Sequence, residues 1–363
     1  GLYTAGEVID VTVAFSESVL VTGSPVLELE TGSTDRQAVY LGGSGTSTLS
    51  FRYTVQAGDT SADLDYTGAG ALSLNGGTLR DAVGNDAALT LASPGTAGSL
   101  GANKAILIEA IPPVVTDGQI SLSGATGTGG AFRAGDTVTA TWNNTAGGDN
   151  NPDISSVLVN FSQFGGPAAA TAADSSGTWT ATYVIPAGSL DVANRNVSVT
   201  ATDNGGNATT TFDSSNATVD SQLPVVTDGQ ISLSGASGAG GAFRAGDTVT
   251  ATWNNTAGGD NNPDISSVLV NFSQFGGPAA ATAADSSGTW TATYVIPAGS
   301  LDVANRNVSV TATDNGGNAT TTFDSTNATL DSQLPVVTDG QISLSGASGA
   351  GGAFRAGDTV TAT

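Results

Sequence analysis

Cysteine, histidine and methionine are absent from all 363 residues. Without cysteine there is no disulfide framework, and without cysteine or histidine there is no zinc site of the usual kind. The same absences exclude Ser-His-Asp and Cys-His catalysis. Oxygen atoms are the metal ligands that remain, a donor set that suits calcium. Charge is scarce and one-sided: 11% of residues are charged, and 32 acids against 9 bases leave a net charge of −23. Nucleic acid, which calls for a basic footprint, is excluded as a partner. No apolar run reaches the 18 residues of a membrane span, so no membrane insertion is expected in this segment.

What is abundant points to β-structure. Fifty glycines stand among many Thr, Ser, Ala and Asn, a composition of short strands joined by turns. An apolar content of 39% is enough for folded cores and argues against disorder.

The strongest signal is an internal repeat. The stretch PVVTDGQISLSGA begins at Pro113, Pro224 and Pro335, a period of 111 residues. Copies 113–223 and 224–334 differ at Thr126/Ser237, Thr128/Ala239, Ser215/Thr326 and Val219/Leu330. A period of this length fits a whole β-sandwich domain rather than a solenoid unit. Seven strands are expected in the first copy, near residues 119–123, 137–143, 156–161, 168–172, 178–185, 196–202 and 209–212. Alternation is clearest in TVTATW, TWTATYVI and VSVTAT. It places Val138, Ala140, Trp142, Trp179, Ala181, Tyr183, Val197 and Val199 inward and Thr and Ser outward. Trp142 and Trp179 therefore read as core residues rather than a sugar-stacking platform.

Residues 1–111 form a related unit of a different type. YTAGEVIDVTVAF aligns with FRAGDTVTATW through its Gly-acid turn, Gly6-Glu7 on Gly135-Asp136. On that alignment the first unit lacks its opening strand, and the last residues carry an opening strand without the rest of its domain. A window cut from a longer chain accounts for both, and strands supplied by neighbouring molecules in a fibre are the alternative. The expected organisation is an Ig-like domain at 1–111, repeats at 112–222 and 223–333, and the start of another at 334–363. The fold class is all-β: tandem Ig-like Greek-key β-sandwich domains in an elongated array.

The first unit, with LSFRYTVQAGDTSADLDY and LRDAVGN, resembles Ig-like repeats of large bacterial surface proteins. The later units, with VIPAGSLDVANRNVSVTATDNGGNATTTF and the VDSQLP junction, resemble the Ig-like extender domains of giant adhesins. That resemblance implies an extracellular or cell-surface stalk or fibre, with calcium at domain junctions. The repeats differ from many relatives in having neither Glu nor Lys.

Two groups of residues are candidate calcium ligands. WNNTAGGDNNPDISS, at 142–156 and again at 253–267, holds Asp149, Asn151 and Asp153, then Asp260, Asn262 and Asp264. An EF-hand is rejected, because Ile154 stands where its glycine belongs, Asn160 replaces its bidentate Glu, and a strand follows. A plain turn explains the same loop, with Gly147-Gly148 giving backbone freedom and Pro152 fixing entry to the strand. The junctions supply the other group: Asp220 with Asp228 and Asp331 with Asp339, flanking short Pro-containing linkers. Glu109 stands at the first junction where Asp220 stands later. The plain reading of these acids is a solvated linker. Asp203, in DNGGN, reads as the cap of a hairpin turn, with the option of helping at a junction.

No catalytic constellation is present, so the chain is read as a non-enzyme. The expected function is a structural stalk or fibre segment of a secreted or surface bacterial protein. It gives reach and stiffness for adhesion, biofilm or extracellular filament formation, with calcium (Ca2+) stiffening the joints. Its partners are neighbouring domains or copies of itself in a fibre. Two alternatives stand beside it. One is an Ig-like module binding host or cell-surface glycans, which an exposed aromatic cluster near Tyr40 or Phe164 would support. The other is a non-catalytic accessory region of a secreted polysaccharide-degrading enzyme.

Overall fold

The computed structural model describes every residue except Ser189 and Ser300. Strands dominate it; the one α-helix among the described residues is the four-residue Leu100–Asn103 turn. Two compact units result: Gly1–Thr126 with Gly130–Ser221, and Gly127–Gly129 with Gln222–Thr363. Three apolar cores form within them, one from residues 9–110, one from 115–219 and one from 226–330.

In the first repeat two four-stranded sheets face each other. One runs Ile120–Ser123, Thr137–Asn143, Thr178–Val184, Ala173–Ser175. The other runs Ala170–Thr171, Ile154–Asn160, Ser198–Asp203, Ala208–Phe212. Numbered along the chain, these are the ABED and C′CFG sheets of an immunoglobulin-type Greek key. The second repeat reproduces both sheets with the same registers. The fold is all-β, with Ig-like sandwiches in tandem.

Alternation builds this core as the sequence suggests. Val138, Ala140 and Trp142 are buried on one strand, and Val197, Val199 and Ala201 are buried opposite. Ala181 is buried, whereas its neighbours Trp179 and Tyr183 are only half-buried. Tyr183 stacks on Phe161 and donates its hydroxyl to Gly165 O. Phe164, fully buried, meets Phe132 edge-on at 5.6 Å between ring centroids. These packed rings anchor the ends of the sandwich.

Strands beyond the seven expected also form. Ala173–Ser175 joins the edge of the first sheet. Phe132–Arg133, Ala217–Asp220 and Asp191–Arg195 make a third, three-stranded sheet. In it Phe132 and Arg133 pair in parallel with Val219 and Asp220. Segments this short show no sequence period, and Val219 and Asp220 read instead as the start of a junction.

The first unit opens with a variant of the same plan. Its six-stranded sheet runs Leu72–Ser73, Val26–Leu29, Arg36–Gly42, Thr46–Thr54, Val8–Thr22, Thr78–Arg80. Three consecutive strands and an earlier one returning beside the last of them is a Greek-key order. A small sheet again has a parallel pair, Leu2–Tyr3 with Leu107–Glu109, flanked by Thr60–Ser61. Glu109 therefore ends the same strand, topologically, that Asp220 ends in the repeat.

Candidate metal centre at the first junction

Three carboxylates converge in the first unit. Glu109 lies at the end of its strand, Asp153 immediately precedes Ile154–Asn160, and Asp203 ends Ser198–Asp203. One oxygen from each lies within 4.8 Å of the others. A bulge between Ile154 and Ser156 opens the pairing opposite Asp203. The Ser155 hydroxyl contacts the Thr202 and Asp203 carbonyls there. That local irregularity brings Asp153 beside Asp203, a common use of bulges at sheet edges.

The hairpin after Asp203 completes the frame. Asn207 donates its backbone N–H to Asp203 Oδ1 at 2.8 Å and its side-chain amide to Asp203 Oδ2 and Glu109 Oε2. Asn204 N–H donates to Asp153 O at 2.9 Å. A Cβ on Gly205 would lie 1.9 Å from Glu109 Oε2, so the Glu109 carboxylate seats against bare backbone. Asp203 is 2% exposed. Among the described residues no salt bridge reaches any of the three acids. Burial raises the Glu109 pKa above its ordinary value, and the charges of Asp203 and Asp153 push the same way, against hydrogen bonds from Ile111 and Asn207. An oxygen-only, cation-free, anionic cluster is the environment in which a hard divalent ion would be held.

The candidates from sequence divide sharply. Asp153 is in the cluster, while the rest of its loop holds the linker. Asp149 accepts from Thr116 N–H and from Trp142 Nε1–H through Oδ2, and from the Thr116 hydroxyl through Oδ1. Asn151 accepts from Val114 N–H at 2.7 Å and returns an amide hydrogen to Val114 O at 2.8 Å. Asp260 and Asn262 bind Thr227, Trp253 and Val225 in the same way. These four residues are hydrogen-bonded staples for the segment entering each sandwich.

Asp228 gives both carboxylate oxygens to Ser325, as Asp117 does to Ser214. Asp331 and Asp339 are exposed. Asp220 is buried at its strand end. In the second repeat Asp264 and Asp314 occupy the positions of Asp153 and Asp203, and Asp314 accepts from Asn318 as Asp203 does from Asn207. Asp203, read from the sequence as a turn cap with the option of helping at a junction, does both here: it caps its hairpin and lies in the cluster. The aromatic clusters that would mark a glycan platform are not open: Phe164 is buried, and half-buried Tyr40 packs edge-on against Phe51.

No family model and no curated protein matches this chain. Among solved structures it is similar to the Bacteroides ovatus mixed-linkage glucan utilization locus SGBP-B in complex with a mixed-linkage heptasaccharide. That similarity has 14% identity over 91% of this chain and 65% of the other, with a TM-score of 0.18. It is similar also to the ICAM-5 D1–D4 ectodomain fragment, at 13% identity over 91% and 73% with a TM-score of 0.34. A third is a tetra-tandem repeat in the extending region of a large adhesion protein, at 15% identity over 88% and 70% with a TM-score of 0.22. The chain thus spans less than two thirds of the first of these. The fold assignment rests on the strand order and pairing given above.

Proposed function

We propose that this chain is a non-catalytic structural segment of an extracellular or surface-displayed bacterial protein, in which tandem Ig-like sandwiches give reach for adhesion or filament formation. Among the described residues no helix is long and apolar enough to cross a membrane. The observation that carries the reading is the stapled linker. Val114 and Thr116 are hydrogen-bonded to Asn151 and Asp149, and Val225 and Thr227 to Asn262 and Asp260. A linker whose last residues are bound to the sandwich it enters leaves fewer free residues than an unbound tether of the same length.

Calcium is the finer part of the same reading. Glu109, Asp153 and Asp203 would supply three oxygen ligands, and the ion would supply the positive charge that the cluster lacks. It would join the end of the first sandwich to two strands of the next. Thermal melting of the full chain with calcium and with chelator tests this, alongside Glu109→Gln. Equal melting temperatures in both conditions would sink the calcium reading and leave the stapled linker standing.

A further inference from the structure

Asparagine is followed by glycine at three places in the chain: Asn75-Gly76, Asn204-Gly205 and Asn315-Gly316. Asparagine is a thermolabile residue. A following glycine exposes it further, because glycine has no side chain to shield its own nitrogen. That nitrogen can attack the side-chain amide carbon of the asparagine before it and close a succinimide ring. The chemistry is common to all three pairs, so their surroundings decide which of them reacts.

At Asn204 both reacting groups are open. Asn204 is exposed in the hairpin after Asp203, and its side chain makes no hydrogen bond among the described residues. The Gly205 N–H likewise meets no acceptor among them. The turn is held by its neighbours instead. Gly206, at φ +92°, donates its N–H to Asp203 O at 3.3 Å, and Asn204 N–H donates to Asp153 O. Asn75 is exposed too, but its amide donates to Ser24 O at 3.2 Å and its backbone sits at φ +46°. Asn75 and Gly76 are the centre of a tight turn closed by Gly77 N–H on Leu74 O at 2.8 Å. Asn315 is exposed, but Gly316 beside it is buried.

We propose that Asn204 is a self-modification site. The Gly205 nitrogen bonds to Asn204 Cγ, the Cγ–Nδ2 bond breaks, and the amide leaves as ammonia with the Gly205 proton. Water then opens the succinimide. Attack at Cγ gives aspartate; attack at the main-chain carbonyl gives isoaspartate, whose backbone runs through Cβ and Cγ. The balance is water consumed and ammonia released, with no oxidant, metal or enzyme. Either product puts a carboxylate next to Asp203, in a turn whose Gly205 already packs against Glu109. Isoaspartate also lengthens the main chain between the Asn204 N–H, bound to Asp153 O, and Asn207, whose amide bonds Asp203 and Glu109. The modified hairpin loses its fit to the junction, so the reaction is a timer on that joint. It proceeds without calcium and stands apart from the calcium reading.

The test incubates the full chain with chelator in warm, mildly alkaline buffer. Trypsin cuts after arginine and places the three pairs on separate peptides, 53–80, 196–244 and 307–355. Mass spectrometry with fragmentation should locate an amide-to-acid mass gain at Asn204. Its rate should exceed that at Asn75 by at least roughly fivefold, the factor that one ordinary hydrogen bond imposes. In urea, where neither turn is held, the two rates should converge. Isoaspartate should be present in the product, and ammonia should appear with it. Asn204→Gln should remove the gain from peptide 196–244. The modified fraction, separated by anion exchange, should melt below the parent in chelator. Conversion at Asn204 no faster than at Asn75, a ratio unchanged in urea, a product without isoaspartate, or a modified fraction that melts with the parent would each overturn the proposal.

Discussion

Trp142, 1% exposed, donates its indole N–H to Oδ2 of Asp149 at 2.7 Å. The core's largest side chain and the linker's principal acceptor are thus one hydrogen-bonded unit, repeated at Trp253 and Asp260. Asp149→Ala leaves the indole and the Thr116 donors without a partner. The expected loss is about 2–3 kcal/mol, the penalty for stranding buried donors at a charged acceptor. Asp149→Asn should lose less, because a carbonyl acceptor remains. Urea denaturation checks both, and an Asp149→Ala chain as stable as the parent would contradict the staple.

Calcium should act through the junction acids and not through the staple. Extracellular modules bind with dissociation constants of about 10⁻⁴–10⁻³ M. At ~10 mM calcium the stabilisation is therefore about 1.4–2.7 kcal/mol. Glu109→Gln and Asp203→Asn should remove that response. Asp149→Asn should lower stability yet keep it. Calcium-dependent melting curves of the three variants separate the two roles.

Glu109 also predicts a pH signature. Its folded pKa is raised, chiefly by burial, so the folded state holds the proton more tightly than the unfolded state. The destabilising contribution is absent below the ordinary glutamate range, about 4.3, and grows as pH rises through the folded value. Without calcium, the stability of Glu109→Gln relative to the parent should increase from pH 4 to pH 7. Urea midpoints across that range measure it, and a flat difference would contradict a raised Glu109 pKa.

Asp136 should behave in the opposite sense. Burial works against its ionisation but is outweighed by hydrogen bonds from the Thr126 hydroxyl and the Arg133 and Thr126 N–H groups, which lower its pKa. Its stabilising contribution is present above the ordinary aspartate range, about 3.9, and is lost as pH falls through the folded value. Asp136→Asn should therefore weaken the fold at neutral pH and converge on the parent in acid.

Gly124 tests the backbone. It sits at φ +106°, and a Cβ there would lie 1.9 Å from Thr137 O. Gly235 and Gly346 repeat the arrangement against Thr248 O and Thr359 O. Gly124→Ala combines a forbidden conformation with a backbone clash, and the expected loss is at least about 2 kcal/mol. Gly129→Ala meets no neighbouring atom within 4 Å and should be milder. Paired thermal melts decide.

Legibility in the sequence followed periodicity. Strands such as Thr137–Asn143 bury alternate residues against a core, and that demand is written as TVTATW. Asp191–Arg195 and Ala217–Asp220 belong to a small sheet with irregular pairing and few buried positions, so no alternation marks them. The site divides similarly. DNNPDI announces a turn rich in oxygen donors, but whether an oxygen faces an ion or an amide depends on residues far away in the chain. Asp149 meets Thr116 and Asp153 meets Glu109, and nothing local in the loop distinguishes them. Asp203 lies 94 positions beyond Glu109, and only the folded junction brings them together.

The parallel pairing of Phe132–Arg133 with Val219–Asp220 has a mechanical consequence. When a tether is pulled from both ends, tension draws the earlier strand toward its N-terminal side and the later strand toward its C-terminal side. On parallel neighbours those forces slide one strand past the other, so their cross-links are strained together instead of parting in sequence. The same load on an antiparallel hairpin such as Ser198–Asp203 with Ala208–Phe212 would peel it one pair at a time. Each repeat thus places a shear-loaded contact between Phe132–Arg133 and its last strand, reached from the N-terminal side after the antiparallel Ile120–Ser123 strand of the Greek-key sheet.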